Sequence, residues 1–553
     1  TTLSANYELP ATLTQIGSYA FYNCANIIGI TIPESVTNIG EEAFRGCSAL
    51  TTLNFNAINC ESCASSSFPS TLSKLTIGDN VTKIPDYFLY DGSKIENLTI
   101  PNSVTSIGSY AFQNSNSLQS LTLGAGLITI NSNAFSSSNN RKIVKVFWLG
   151  NTPPEGYKNI AGLVNYVAND QYSLNNQVKY QFLSSKFTVD GIAYVPVSPA
   201  ERTCDVVDCI YGKPFGDLII ADNVVNKGIK MAVNNIQQYA FYENTNIKSL
   251  TLNNQGFIGD NAFYNSLNIN EITISGSVTS LGSSIFSGCS EIKEISIPKS
   301  VQSIGDKAFY GCTQLSDITF EDAVRTYPNS EPVVILLGSN GENPLFSSCP
   351  LDEVYIGRKL LYKTGAEKGY SPFYRNASLR SVVITDAETE IYDNEFYGCS
   401  NLKSLQIGNG VKTIGNRAFS GCSALDYFSA GCNVETIGAE AFSDCTGLTK
   451  FYTHSKLPPV CGEQALDDIN KWECTLYVPE QSSDEYRAAP QWKDFFFIEE
   501  SSDAGVGSVL VGNDLEMEVY DLQGRMVGTS LGGLKAGIYI VKQGGTTSKV
   551  AVN

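Results

Sequence analysis

One short phrase returns throughout the chain: an apolar residue and glycine, then Ala-Phe three residues on. Ile16-Gly17…Ala20-Phe21 recurs at Ile39-Gly40…Ala43-Phe44, at Ile107-Gly108…Ala111-Phe112 and at Ile304-Gly305…Ala308-Phe309. It returns again at Ile414-Gly415…Ala418-Phe419 and Ile437-Gly438…Ala441-Phe442, and neighbouring copies lie 23 residues apart. A fixed period of this length means a stack of similar coils, each unable to bury its own apolar face. The full unit reads Leu402-x-x-Leu405-x-Ile407, Val411-x-x-Ile414-Gly415, Ala418-Phe419-x-x-Cys422. Leu405 and Ile407 alternate across Gln406, which predicts a short strand with one buried face. Asn409-Gly410 predicts a turn, Gly415 a backbone bend, and residues 416–421 one or two helical turns that carry Ala418, Phe419 and Cys422 inward.

Strand cores at Ile30, Leu53, Leu75, Leu98, Leu121 and Val146 give a first array of six strands. It ends at Thr152-Pro153-Pro154, with Tyr172 beyond, and Leu457-Pro458-Pro459 with Tyr486 repeats that grammar. Two matching endings predict two blocks, residues 1–185 and 186–500. The second opens on Asp190-Gly191 between β-prone runs, a hairpin signal. Its nine strands are centred on Leu250, Ile272, Ile295, Ile318, Val354, Val382, Leu405, Phe428 and Phe451. Their spacing lengthens to 36 residues before Val354 and to 28 after it. The first of these insertions, residues 327–344, is rich in Asn, Gly, Pro and Ser and reads as an exposed loop. Residues 501–553 alternate apolar and polar positions between glycine turns, which predicts a small all-β, sandwich-like module. The expected fold is thus a β-rich repeat solenoid with short helical turns, in two arrays, followed by that module.

Fifteen cysteines would suggest redox or metal chemistry, but eight of them fall three residues after the inward Phe: Cys24, Cys47, Cys289, Cys312, Cys349, Cys399, Cys422 and Cys445. Other coils put Ser115, Asn244, Ser266 or Asn376 in that place, so the position is a small, half-polar interior slot occupied by free thiols. Cys60-x-x-Cys63 lacks a second ligand pair for zinc and is open to a local disulfide or plain packing. Cys204/Cys209, flanking an expected hairpin, and Cys461/Cys474 are each open to disulfide or free states, and Cys432 has no evident partner.

A single histidine, His454, removes most catalytic dyads and histidine metal sites, and it reads as a capping-region residue. The carboxylate pairs Glu388/Glu390 and Glu499/Glu500 read as solvated surface. No nucleophile elbow, zinc-protease or phosphate-loop motif occurs. The expectation is a protein with no enzymatic activity, cofactor or metal. A net charge of −18 argues against nucleic acid and against a polybasic membrane-surface binder. No run of about 18 apolar residues spans a bilayer. The chain begins TTLSANYELP, so a signal peptide is absent or already removed.

The repeat unit resembles the leucine-rich repeat of BspA-type bacterial surface proteins, over about residues 1–500. The last segment, with Val519-Tyr520-Asp521-Leu522-Gln523-Gly524-Arg525 and Gly537-Ile538-Tyr539, resembles the sorting-type β domain of secreted Bacteroidetes proteins. The resemblance implies export, cell-surface display or secretion, and an adhesin-like protein, which is expected to be a monomer. It would bind a protein or glycan on host or neighbouring cells. A structural spacer and a glycan-binding accessory protein are the alternatives.

Binding is expected on the sheet face. Its central outward positions read Thr31, Asn54, Thr76, Thr99 and Thr122, then Thr251, Thr273, Ser296, Thr319, Tyr355, Val383, Gln406, Ser429 and Tyr452. Thr suits an exposed strand, but the ladder changes character at Tyr355 and Val383, beside the two insertions. The candidate site is therefore Thr251, Thr273, Ser296, Thr319, Tyr355 and Val383, with Tyr327 and Asn340 of the insertion as one wall. Only Tyr355 and Tyr452 offer aromatic rings on this row, 97 residues apart, which weakens the glycan alternative.

Overall fold

A computed structural model describes residues 6–90, 93–137, 143–160, 162–210, 213, 215–322, 334–338, 345–346, 348–362 and 371–501. It also describes the strands Glu518–Tyr520, Met526–Gly528, Gly537–Gln543 and Thr546–Val552. In the coil of Leu402 to Cys422 the strand Ser404–Ile407 turns Leu405 and Ile407 inward, with Ser404 and Gln406 outward. A two-residue strand, Thr413–Ile414, follows. Leu402, Val411, Ala418, Phe419 and Cys422 are all fully buried.

Gly415 has a different role from the expected bend. A Cβ there would meet Asp393 N at 2.5 Å and the Tyr392 carbonyl carbon at 2.6 Å, both in the preceding coil. The glycine marks a close approach of two backbones. Left-handed backbone occurs instead at Gly421 (φ +81°), and other coils place Asn23, Asn114 or Asp444 there, residue types that tolerate this region.

The expected helical turns are absent. In residues 416–421 the N–H groups of Arg417, Phe419 and Gly421 donate to the carbonyls of Ala439, Ala441 and Ser443 in the next coil. Ser420 and Cys422 instead close tight turns onto Arg417 and Phe419. Left-handed φ at Arg417 (+54°) interrupts any helix. The next coil supplies acceptors for every second donor, so stacking overrides local helix preference.

Two compact units form the fold: Thr1–Glu321 with Val334–Pro350 and Leu360–Phe373, and Asp322–Val333 with Leu351–Lys359 and Tyr374–Asn553. In the first, parallel strands align Tyr7, Ile30, Leu53 and Leu75. A further sheet aligns Leu98, Leu121, Val146 and Asn165. Gly162–Val167 and Gln177–Lys179 extend it in parallel, so the first ending adds strands to the six expected. The predicted hairpin joins Phe187–Val189 to Ile192–Ser198 through Asp190 and Gly191, both left-handed. Thr203–Cys209 pairs with it, antiparallel. In the second unit the parallel strands run Glu353–Ile356, Ser381–Ile384, Ser404–Ile407, Tyr427–Ala430, Lys450–Thr453, Thr475–Val478 and Phe497–Glu500. The four C-terminal strands form one antiparallel sheet.

The matching endings share one device. Tyr172 OH donates to the carbonyls of Gly150 (3.1 Å) and Thr152 (3.2 Å). Tyr486 OH does the same to Ser455 (2.8 Å) and, more weakly, Leu457 (3.5 Å). Each buried phenol thus satisfies carbonyls where the Pro-Pro step departs from the coil pattern.

The insertion at 327–344 is not all loop. Val334–Leu337 is a strand paired with Ser303–Ile304 in the second row, with Ile335 and Leu337 buried. Residues 323–333 and 339–344, including Tyr327 and Asn340, lie outside the described residues.

All fifteen cysteines are free. Cys63 fills the place that Ile16 and Ile39 hold in the neighbouring coils, and Cys461 does the same beside Ile437. Cys204 and Cys209 share the single strand Thr203–Cys209 rather than flanking a hairpin. Five steps along the strand separate them by roughly 17 Å, beyond disulfide reach. In the repeated slot the thiols of Cys47, Cys289, Cys312, Cys349, Cys422 and Cys445 donate to the carbonyl of the preceding coil's Phe, at 3.1–3.3 Å. Ser266 makes the same bond to Phe241 at 3.1 Å. The Phe rings stack coil on coil, as in Phe241–Phe263 at 5.0 Å and Phe263–Phe286 at 5.7 Å.

Candidate functional site

In the first unit, the outward positions divide into open and covered stretches. Thr31, Asn54 and Thr76 lie side by side, and Asn54 Nδ2 donates to Thr31 Oγ1 at 3.2 Å. Thr122, expected outward, is buried, as are Ser120, Lys145, Phe147 and Tyr166 on the same face. The hairpin region beyond the first array covers them, packing Ala193, Val195 and Val207 against Phe147 and Tyr166.

Polar groups are sealed in with this packing. Lys145 pairs with Asp208, and its ammonium also donates to the Ala240 carbonyl at 3.0 Å. Ser120 Oγ donates to the same Asp208. Asp205 accepts from Tyr180 OH (3.0 Å), Gln237 Nε2 (2.7 Å) and both Asn235 nitrogens. Burial outweighs these donors and raises the Asp205 carboxyl above the usual range. Lys186 lies 3.8 Å from the centre of the Phe147 ring and donates to Thr122 Oγ1. Burial lowers its ammonium.

The candidate residues fall in three registered pairs. Thr251 opposes Thr273, and Ser296 opposes Thr319, both within the first unit. Ser296 Oγ donates to Glu321 at 3.3 Å. Tyr355 opposes Val383 in the second unit. None of these six side chains is buried. Tyr355 OH donates to both Asp322 oxygens, at 3.1 and 3.0 Å. Burial of the half-covered ring, then the Asp322 charge, hold its phenol well above the usual value. The ring is fixed at its tip while part of it remains open, a geometry suited to contact rather than to proton transfer.

Sequence reasoning missed a second set. Each four-residue strand has two outward positions, and following only the central one isolated Tyr452. In the structure Tyr452 stacks on Tyr477 at 4.3 Å and lies 5.4 Å from Tyr427. Tyr427 sits on the other outward row, and Tyr477 belongs to the ending. Beside them Trp472, Phe496 and Phe497 form a second run of rings, at 5.3 and 4.9 Å. All three are exposed. The period-2 rule applied to both outward rows would have found Tyr427, and carrying the central row on into the ending's strand would have found Tyr477.

His454 Nε2 lies 3.1 Å from Ser429 Oγ, in a groove of about 640 Å³ walled by Leu457, Pro458 and Pro459. Glu388, expected as solvated surface, is instead buried and accepts from the Thr389 N–H at 2.9 Å. Among the described residues no group of three or more His, Cys, Asp and Glu side chains could hold a metal ion. Among them, too, no helix is long and apolar enough to cross a membrane.

No curated relative matches the chain. Among solved structures it is similar to a leucine-rich repeat protein from Bacteroides ovatus, at 20% identity over 86% of this chain and 92% of that one, with a TM-score of 0.37. It is also similar to a leucine-rich cell surface protein from Faecalibacterium prausnitzii, at 19% identity over 74% and 88%, with a TM-score of 0.27. The pneumococcal vaccine antigen PcpA matches at 18% identity over 69% and 84%, with a TM-score of 0.30. The profile of the BspA type leucine-rich repeat region matches residues 2–116, 82–146, 222–330 and 367–461, more than half of the chain, with the registered coils described above. The chain belongs to the BspA-type leucine-rich repeat family, whose members are bacterial surface proteins.

Proposed function

We propose that this protein is a non-enzymatic, adhesin-like solenoid that displays its sheet face to a macromolecule of a host or neighbouring cell. The observation carrying this reading is the outward pair Tyr355 and Val383 of the second unit, with Tyr355 held by Asp322, side chains that core packing does not need. Interfaces favour tyrosine because a rigid ring offers large contact area at small entropic cost. Thr251, Thr273, Ser296 and Thr319 in the first unit, and Tyr327 and Asn340 of the insertion, are the further contact positions proposed from the sequence. The protein acts as a monomer on this reading. Its arrays span residues 1–185 and 186–500, and residues 501–553 serve as a sorting-type β domain after export.

The test is a binding screen of the purified chain against extracellular matrix proteins, mucins and cell surfaces. Tyr355→Ala, and separately removal of residues 323–332, which leaves the strand Val334–Leu337 intact, should each weaken a captured protein partner by roughly tenfold. Unchanged affinity in both variants would rule out this surface. A wild-type chain that captures nothing would favour a spacer.

A further inference from the structure

We propose that the last coils of the second unit carry a glycan-binding platform, built from Trp472, Phe496 and Phe497 and taking neutral oligosaccharides. It shares no residue with the Tyr355 surface. Trp472 is 74% exposed and Phe496 60%, yet the backbone beneath both is fixed. The Trp472 N–H donates to Asn470 Oδ1 at 3.2 Å, Cys474 N–H to the Asn470 carbonyl at 2.8 Å, and Phe496 N–H to the Lys471 carbonyl at 2.9 Å. Buried Trp492 and Phe495 form the floor of this ending, each packed against Phe451. Large rings held open to water on a rigid support are a binding feature, since the same rings could have been buried.

The surroundings select the occupant. Phe497 and Glu499 are two apart on one strand and share a face; Thr475 opposes Phe497, and Lys450 opposes Thr475. Tyr452 and Tyr477 stack at 11° to each other, so their faces cover one another and their hydroxyl-bearing edges remain. The patch therefore pairs exposed aromatic rings with a rim of hydroxyl, carboxylate and ammonium groups. A pyranose ring has the matching chemistry: a C–H face that packs on an aromatic face, and hydroxyls at its edge that donate and accept. Glu473, Asp494, Glu499 and Glu500 outnumber Lys450, Lys471 and Lys493 in this part of the chain, which disfavours anionic sugars and anionic lipid surfaces.

Two of the three tryptophans, Trp148 and Trp492, are buried, so emission changes on ligand addition report Trp472. The full-length protein is titrated with neutral cello-, xylo-, manno- and malto-oligosaccharides. At least one should shift the emission to the blue, protect it from iodide quenching and saturate in calorimetry. Trp472→Ala and Phe496→Ala should each weaken that sugar by roughly tenfold or more, with an unchanged melting temperature. Tyr355→Ala should leave it within about twofold. The proposal is overturned if no sugar in the panel binds, if Trp472→Ala keeps wild-type affinity, or if the patch captures only proteins. Each of these results leaves the Tyr355 surface to stand or fall on its own screen.

Discussion

Single residues of the repeat are chosen for what the neighbouring coil offers them. The cysteine slot faces a carbonyl of the coil before it, and Cys or Ser closes the same bond. Burial pushes the thiol of Cys47 up to about 11 and those of Cys289 and Cys399 to about 12. Reactivity follows the thiolate, so these groups are inert near neutral pH. Cys432 alone is exposed. Alkylation of the native protein at mild alkaline pH should label Cys432 rapidly, with half-buried Cys24 and Cys461 slower and the seven buried slot cysteines only after denaturation. Mass spectrometry of timed samples reads this, and a slot thiol labelled as fast as Cys432 would contradict the packing. The slot was legible in sequence because Ser and Asn alternate with Cys there. Cys63 and Cys461 were not, because recognising a thiol in an isoleucine position requires knowing the strand register.

Whole elements show where local and stacked preferences part. Strands were legible: Leu405 and Ile407 alternate in sequence and in burial alike. The turns after Gly415 were not, because their hydrogen-bond acceptors belong to a coil 22 residues further on. The glycine itself is a test of stacking. Gly415→Ala forces a Cβ into backbone atoms 2.5 Å away, whereas a Cβ at Gly17 meets nothing within 4 Å. Gly415→Ala should cost about 1–3 kcal/mol, and Gly17→Ala should stay within about 0.5 kcal/mol. Urea denaturation of the two variants side by side decides it. Equal losses would return the glycine to the role of a local bend.

Across the molecule, the covered face at the end of the first array is the feature that a list of coils does not contain. Lys145 and Asp208 are 63 residues apart and sealed together. Removing one partner of a buried pair leaves an uncompensated charge, so Asp208→Ala should destabilise the first unit by about 3–5 kcal/mol. The double change Lys145→Met, Asp208→Leu should recover most of that loss. Denaturant midpoints of the three proteins measure both effects, and a single variant as stable as wild type would mean that water reaches the site. The same covering removes Thr122 from the surface that sequence periodicity had given it, because periodicity reports which face a residue takes and not what later packs against that face.

The sequence by itself determined the coil: its length, its inward residues, its thiol slot and the hairpin at Asp190-Gly191. The first three depend on interactions inside one repeat or between similar repeats, which a period displays directly, and the hairpin depends on a local turn. Only the tertiary structure decided which outward residues meet water. Burial of Lys145, Phe147 and Tyr166, and the gathering of Trp472, Phe496 and Phe497 into one patch, depend on segments that share no period. Their contacts arise from how the chain returns on itself, and nothing in the repeat encodes that path.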